Sequence, residues 1–193
     1  MGIDDKIKWD KKYQNRPELL EKREPSKKLV GLVAMVKGKK ALDIACGSGR
    51  NSIFLANKNF DVEAFDISCI AIDSLNSHGY KNINTKCIDL EHYIPKQDSY
   101  DLIVMTNYLD RDIIRSLLNS LKKDGILFVE TYMDHPSNTK PNSNSDFLLK
   151  SNELKEFIDK EKFSIIDYDE FDNESYEIYR MKKQSIIVKN NQI

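Results

Sequence analysis

A chain of 193 residues, 40% hydrophobic and 32% charged, has the size and polarity of one globular domain and is long enough to bury a two-faced α/β core. Its formal net charge of −1 excludes any overall pull toward nucleic acid or a membrane surface. The longest apolar run, residues 29–36, is far too short to cross a bilayer, and the opening MGIDDKIKWDKKYQ has neither the apolar stretch of a secretory signal nor the hydroxyl residue that myristoylation needs.

Charge is unevenly spread. Residues 1–40 carry twelve Lys/Arg against six Asp/Glu, and residues 151–180 carry four against ten. Two solvated helical faces are the preferred reading; a basic arm that draws an anionic substrate is the sharper one. The three cysteines, Cys46, Cys69 and Cys87, are odd in number and form no C-x-x-C pair. That argues against a disulfide framework and fits a reducing cytoplasm.

In chain order, residues 1–40 read as helical and basic, broken by Pro17 and Pro25, with Ser26 placed to cap a helix through Leu29, Leu32, Val33 and Val36. Residues 40–46 form a short apolar strand that closes on a glycine turn, and 51–57 a helix. Residues 61–65 form a second strand ended by Asp66, and Ser68 is the expected N-cap of a helix that stops at Gly79. Residues 82–88 are a third strand, and YDLIVMT at 100–106 reads as a strand buried on both faces. Asp110 caps a helix whose Ile113, Ile114, Leu117, Leu118 and Leu121 share one face, with Lys122 and Lys123 at its end and Gly125 as its stop. Residues 126–132 are a fifth strand. A polar loop, DHPSNTKPNSNSD, follows as an active-site flap or a disordered connection. Residues 151–160 read as a helix, and 163–171 with 176–188 as an antiparallel strand pair. Alternating strands and helices with right-handed crossovers predict an α/β doubly wound, mostly parallel sheet with an antiparallel C-terminal edge.

The most informative segment is Asp43-Ile-Ala-Cys-Gly47-Ser-Gly49-Arg-Asn, which leaves a strand and opens a helix. Gly47 and Gly49 let the backbone approach a ligand closely, and the helix N-terminus beyond them favours a carboxylate or phosphate. A tight turn with no ligand remains the competing reading. Asp66 lies 17 residues beyond Gly49, where a carboxylate accepts from both ribose hydroxyls. Asp89 follows the third strand, placed to accept from an adenine amine with Leu90 against the ring. Gly47, Gly49, Asp66, Asp89 and Asn107 all fall at the carboxyl ends of strands, where open α/β sheets bind ligands. For any one acid alone, a solvated loop residue is the alternative.

ALDIACGSGRNSIFLA resembles the first motif of class I methyltransferases, acidic-x-Gly-x-Gly-x-Gly, with Asp43 at the acidic position and Gly47 and Gly49 at the last two glycines. Ala45 stands where the first glycine is expected. AFDIS is similar to the second motif, CIDLEHY to the third and DLIVMTNYLDR to the fourth. CGSGRNSIFLA, NYLDR and NSDFLLKSNEL, with Trp9 and Tyr13 in the early WDKKYQ, resemble the tellurite-resistance-type branch of small methyltransferases. The likeness spans most of residues 9–188. It implies a single Rossmann-like domain over 1–193 with seven strands, a helical lid at 1–38 and a core at 39–193. It also implies S-adenosylmethionine as cofactor, held by Asp43, Ala45, Gly47, Gly49, Arg50, Asn51, Asp66, Ile67, Asp89, Leu90 and Asn107, with Trp9 and Tyr13 from the lid.

Methyl transfer from a sulfonium is an in-line displacement that needs positioning more than a side-chain nucleophile, and proximity alone is worth about 7–11 kcal/mol. Asn107, Tyr108, Glu130, Asp134 and His135 fall on the expected acceptor side. His135 is the best base on pKa grounds, although an exposed loop histidine is the commoner outcome. Arg50 and Arg111 either attract an anionic acceptor or form ion pairs. Trp9 can stack on the cofactor or on its cation. Cys87 and His92 are five apart without the further ligands a metal site needs. The expected acceptor is a small molecule: a thiol, a metalloid oxyanion or a carboxylate. RNA or protein as acceptor, and cofactor binding without turnover, are the alternatives. A nicotinamide site is disfavoured because Ser52 stands where its third glycine or alanine belongs. The sequence leaves a homodimer open.

Overall fold

The computed structural model describes residues 3–91, 93–141, 143–174 and 177–192. Seven strands form one sheet in the order β3-β2-β1-β4-β5-β7-β6. They are β1 (Lys40–Ile44), β2 (Asp61–Asp66), β3 (Ile83–Cys87), β4 (Tyr100–Thr106), β5 (Leu121–Tyr132), β6 (Phe163–Asp172) and β7 (Lys182–Asn190). β1 to β5 pair in parallel, while β7 runs antiparallel to both β5 and β6. The doubly wound sheet with an antiparallel edge is borne out.

Two apolar layers bury the sheet. On one face Leu29 and Leu32 of α2 (Lys27–Leu32), Ile53 and Leu55 of α3 (Arg50–Asn57), and Ile72 and Leu75 of α4 (Cys69–Ser77) pack on Ala41, Val62, Leu102 and Phe128. On the other, Ile113 and Leu117 of α5 (Arg111–Leu118) and Leu154 of α6 (Glu153–Glu156) pack on Leu42, Ile44, Ile103, Leu127 and Ile186. Full burial of each such side chain contributes about 1.5–3 kcal/mol. α1 (Ile3–Asn15) lies against α4, outside both layers.

Two caps are as expected. Ser68 Oγ accepts from Ala71 N–H, and Asp110 accepts from the N–H groups of Asp112 and Ile113. Ser26 differs: it precedes α2, but its hydroxyl donates to Glu130 at 2.8 Å instead of capping. α5 ends at Leu118, so Leu121, Lys122 and Lys123 belong to β5. Gly125 is no helix stop; it sits where the β4–β5 register shifts, and a Cβ there would meet the carbonyl oxygens of Lys122 and Tyr100 at 2.8 and 2.9 Å. The helix expected over 151–160 is only α6, entered through Asn152 at φ 62°. The last strand begins at Lys182 rather than 176, and Tyr176 lies outside the described residues. Cys69 and Cys87 are disulfide-bonded, against the expectation from cysteine parity; Cys46 is the free one. An odd count excludes full pairing but not a single bridge, and here strand pairing brings two half-buried cysteines together.

Candidate functional site

The sheet order reverses between β1 and β4, which sets a crevice at their carboxyl ends. Both strands stop in left-handed residues, Ala45 at φ 53° and Asn107 at φ 58°. Such conformations cost about 1–3 kcal/mol each and persist where the surroundings impose them. Gly47 and Gly49 continue the turn at φ 57° and 82°, and Gly49 is the N-cap of α3. A Cβ on Gly47 would lie 2.9 Å from the Tyr13 hydroxyl, and one on Gly49 2.4 Å from Leu75. The loop is pinned by Cys46 N–H donating to Phe65 O at 3.0 Å. Beneath it Asp43 accepts from the Ser52 hydroxyl at 2.5 Å. Burial pushes the Asp43 carboxyl up to about 7, against the Ser52 hydrogen bond and the Arg50 charge.

Asp66, at the end of β2, uses Oδ2 to accept Gly47 N–H at 2.7 Å and Oδ1 to accept Ser68 N–H at 2.9 Å. Burial raises its pKa above the ordinary value even so. A carboxylate has about four lone-pair positions, so capacity remains for two hydroxyl donors. Beside it opens a cleft of about 140 Å³ lined by Ile67, Cys87, Ile88 and Asp89, and by Ile3 and Lys6 of α1. Asp89 is exposed and accepts Glu91 N–H at 3.0 Å. Leu90 is not a wall of this cleft: it is buried in the sheet's core, and Ile67 and Ile88 supply the apolar sides.

α1 closes over this rim. Asp10 accepts from Ser68 Oγ at 2.6 Å and pairs with Lys6 at 2.6 Å. Tyr13 is buried, its hydroxyl beside Gly47. Trp9 packs on Tyr13 at 6.2 Å between centroids, and the cation over its ring is Lys12 at 4.1 Å. Burial, with the charges of Lys140, Arg16, Lys8 and Arg23, lowers the Lys12 pKa to about 8.

On the far side of the crevice Asn107 is exposed and anchored by its N–H to Glu130 O at 2.8 Å. Tyr108 is half-buried, and burial with the Asp110 and Asp89 charges raises its pKa. His135 does not present a free lone pair at Nδ1, which accepts Ser137 N–H at 3.1 Å. In the neutral ring the proton therefore sits on Nε2, making the outward nitrogen a donor rather than a base. Arg111 is committed to Glu153 at 2.6 Å and to the carbonyls of Asp146 and Leu148, which leaves the ion-pair reading. Arg50 is buried too, its Nη1 3.9 Å from Glu174. Asn51 bridges the layers: its amide donates to Thr106 at 3.0 Å and its oxygen accepts Ser26 N–H at 3.1 Å.

Sequence reasoning missed the partners of Glu130. The fully buried Lys183 ammonium lies 3.4 Å from Glu130, 2.8 Å from Glu174 and 3.5 Å from Glu177, and Tyr132 donates to Glu177 at 2.7 Å. Strand alternation carried a signal, since Lys183 and Ser185 share a face with the core residue Ile187. Among the described residues no group of three His, Cys, Asp or Glu could hold a metal; His92 lies outside them.

The family model described as tellurite resistance protein TehB matches residues 6–189. A probable S-adenosyl-L-methionine-dependent methyltransferase TehB of Haemophilus influenzae is 31% identical over 141 residues, 68% of this chain and 48% of that protein. A ubiquinone biosynthesis O-methyltransferase of Glaesserella parasuis is 31% identical over 49% of this chain and 45% of its own length. This chain thus spans about half the length of the curated relatives it matches. The crystal structure of TehB from Haemophilus influenzae superposes with a TM-score of 0.71 at 26% identity, covering 84% of this chain and 61% of that one. A Methanosarcina mazei methyltransferase structure, at 18% identity and a TM-score of 0.66, shares the fold. With its glycine turn, its β2 carboxylate and a match across nearly its whole length, the chain belongs to the TehB family of tellurite resistance proteins.

Proposed function

We propose that the chain is an S-adenosylmethionine-dependent methyltransferase acting on a small molecule. The reading rests on the Asp66 carboxylate, buried at the end of β2, bonded to the glycine turn and retaining capacity for two hydroxyls. The residues present suit the cofactor. Asp66 takes the ribose, Ile67 and Ile88 flank the adenine, and Asp89 meets its amine. The Gly47–Gly49 turn, where no Cβ fits, admits the methionyl end under Tyr13. When bound, the cofactor supplies an electrophilic sulfonium methyl group.

The chain's own residues orient and enclose. Ala45 and Asn107 turn the chain at the ends of β1 and β4, α1 is held to the rim by Asp10 and Ser68, and Asn107 and Tyr108 border the acceptor's approach. Of the candidate bases, His135 is a donor at Nε2, and Glu130 is buried and held by the Ser26 hydroxyl and the Lys183 ammonium. The favoured acceptor therefore carries its own nucleophilic lone pair at neutral pH, as a thiolate, carboxylate or metalloid oxyanion does. The formal net charge of −1 gives no overall pull toward nucleic acid, which favours compact acceptors. No helix among the described residues is long and apolar enough to cross a membrane, in keeping with a cytoplasmic enzyme. Transfer of a labelled methyl group from S-adenosylmethionine to thiol, carboxylate and oxyanion panels tests the reading. Product with none of them, while RNA or protein becomes labelled, would overturn the acceptor class.

A further inference from the structure

We propose that Cys69 and Cys87 form a thiol–disulfide switch that sets affinity for the cofactor; this rests on the cleft at the ends of β2 and β3 being the adenosyl site. Cys69 is the first residue of α4 and Cys87 the last of β3, so the bridge ties the two segments that make the cleft. Asp66, Ile67 and Ser68 immediately precede Cys69; Ile88 and Asp89 immediately follow Cys87. Asp66 and Cys87 are register partners across β2 and β3, Cys87 Sγ lies 3.5 Å from the Ile67 carbonyl oxygen, and Cys87 itself lines the cleft. Both bridged cysteines are half-buried, whereas Cys46 is buried. The pair that exchange chemistry can reach is the pair that holds the cleft walls together.

A dithiol reductant supplies two electrons and two protons. The sulfur–sulfur bond breaks, Cys69 and Cys87 each become a thiol, and the dithiol leaves as its own disulfide. Without the tether the Ile67 and Ile88 walls are held together only by the β2–β3 pairing, which ends in Ile88 N–H to Asp66 O at 2.9 Å, and ordering the loosened start of α4 again consumes part of the binding energy. Linkage makes the effect reciprocal: bound cofactor protects the bridge by the same factor by which the bridge favours cofactor. Bridges in reducing compartments are characteristically transient or sensing, so this one is compatible with a cytoplasmic setting.

The test is calorimetric titration of S-adenosylhomocysteine into protein purified without reductant and into the same protein after dithiothreitol. Alkylation in denaturant counts the thiols in each. Alkylation should find only Cys46 before reduction and all three cysteines after it. Reduction should weaken binding about fivefold or more, the low end of coupling between sites. Cys69→Ser, with its fold verified by circular dichroism, should bind like the reduced form and ignore reductant; if it does not fold, reduction of the unaltered chain still decides. Equal affinity in the two redox forms overturns the switch alone, as does finding three free thiols before reduction. Failure of S-adenosylhomocysteine to bind either form overturns both the switch and the adenosyl assignment.

Discussion

Replacing Asp66 by alanine removes the two acceptors that Gly47 N–H and Ser68 N–H now use, at 2.7 and 2.9 Å, as well as the capacity assigned to the ribose. Each buried donor left without a partner costs about 1–3 kcal/mol, so the apo protein loses about 2–6 kcal/mol of stability before any ligand is added. Each charged hydrogen bond to a ribose hydroxyl contributes about 1.5–3 kcal/mol, so two of them correspond to roughly a hundredfold to ten-thousandfold in affinity. Alanine confounds the two losses; Asp66→Asn narrows the first, keeping the shape and one accepting oxygen while turning its amide nitrogen toward one of the two N–H donors, a cost that thermal unfolding reads apart from affinity. The assay is S-adenosylhomocysteine calorimetry beside thermal unfolding on both variants. Asp66→Asn should stay folded and bind at least about tenfold more weakly. A folded Asp66→Asn with unchanged affinity would refute the ribose assignment and the reasoning built on it.

Asp43 holds its proton to about pH 7 in the native state, whereas an unfolded carboxyl releases it near 4. The native state therefore binds more protons between those values, and stability should fall as pH rises from about 4 to about 7, by an order of 4 kcal/mol. Asp43→Asn should flatten that slope in urea unfolding measured across the range; an unchanged slope would show that Asp43 is not its source. Gly49→Ala must hold φ 82° with its Cβ 2.4 Å from Leu75, so about 1–2 kcal/mol of strain should appear in chemical denaturation, with weaker cofactor binding. Lys183→Met leaves Glu130, Glu174 and Glu177 without their shared ammonium, and about 3–5 kcal/mol of destabilisation should follow. The same variant should bring the Glu174 carboxyl up from about 2, where Lys183 now holds it against the effect of burial, a change visible by carbon NMR titration.

The glycine turn, the strand-end place of Asp66 and the buried strands were legible because each rests on a local requirement: a positive φ, a strand end, a buried run such as YDLIVMT. The branch resemblance was legible for the same reason, in contiguous motifs. What escaped depends on distant pairings. Leu121 continues the apolar face of α5 in sequence, yet pairs with Tyr100, because Asn119 ends the helix and β4 offers a partner. The Cys69–Cys87 bridge follows from β2 lying beside β3, which no cysteine count reports. His135 reads as the best candidate base unless Ser137, two residues on, is known to donate to its ring. Lys183 reads as a surface lysine unless Glu130, Glu174 and Glu177 are known to surround it.

β7 lies between β5 and β6, although β6 is made first. Until β7 has docked, β6 has no neighbour to hydrogen-bond, and Glu130 waits for a lysine 53 residues downstream. Folding of the β5–β7 half must therefore trail behind that of the other half, whose β1, β2 and β3 need only sequence already synthesised. A nascent chain stalled before residue 182 would hold a nearly finished glycine turn and Asp66 cleft beside an unfinished wall, and β5 would be the exposed edge most prone to pairing with another molecule.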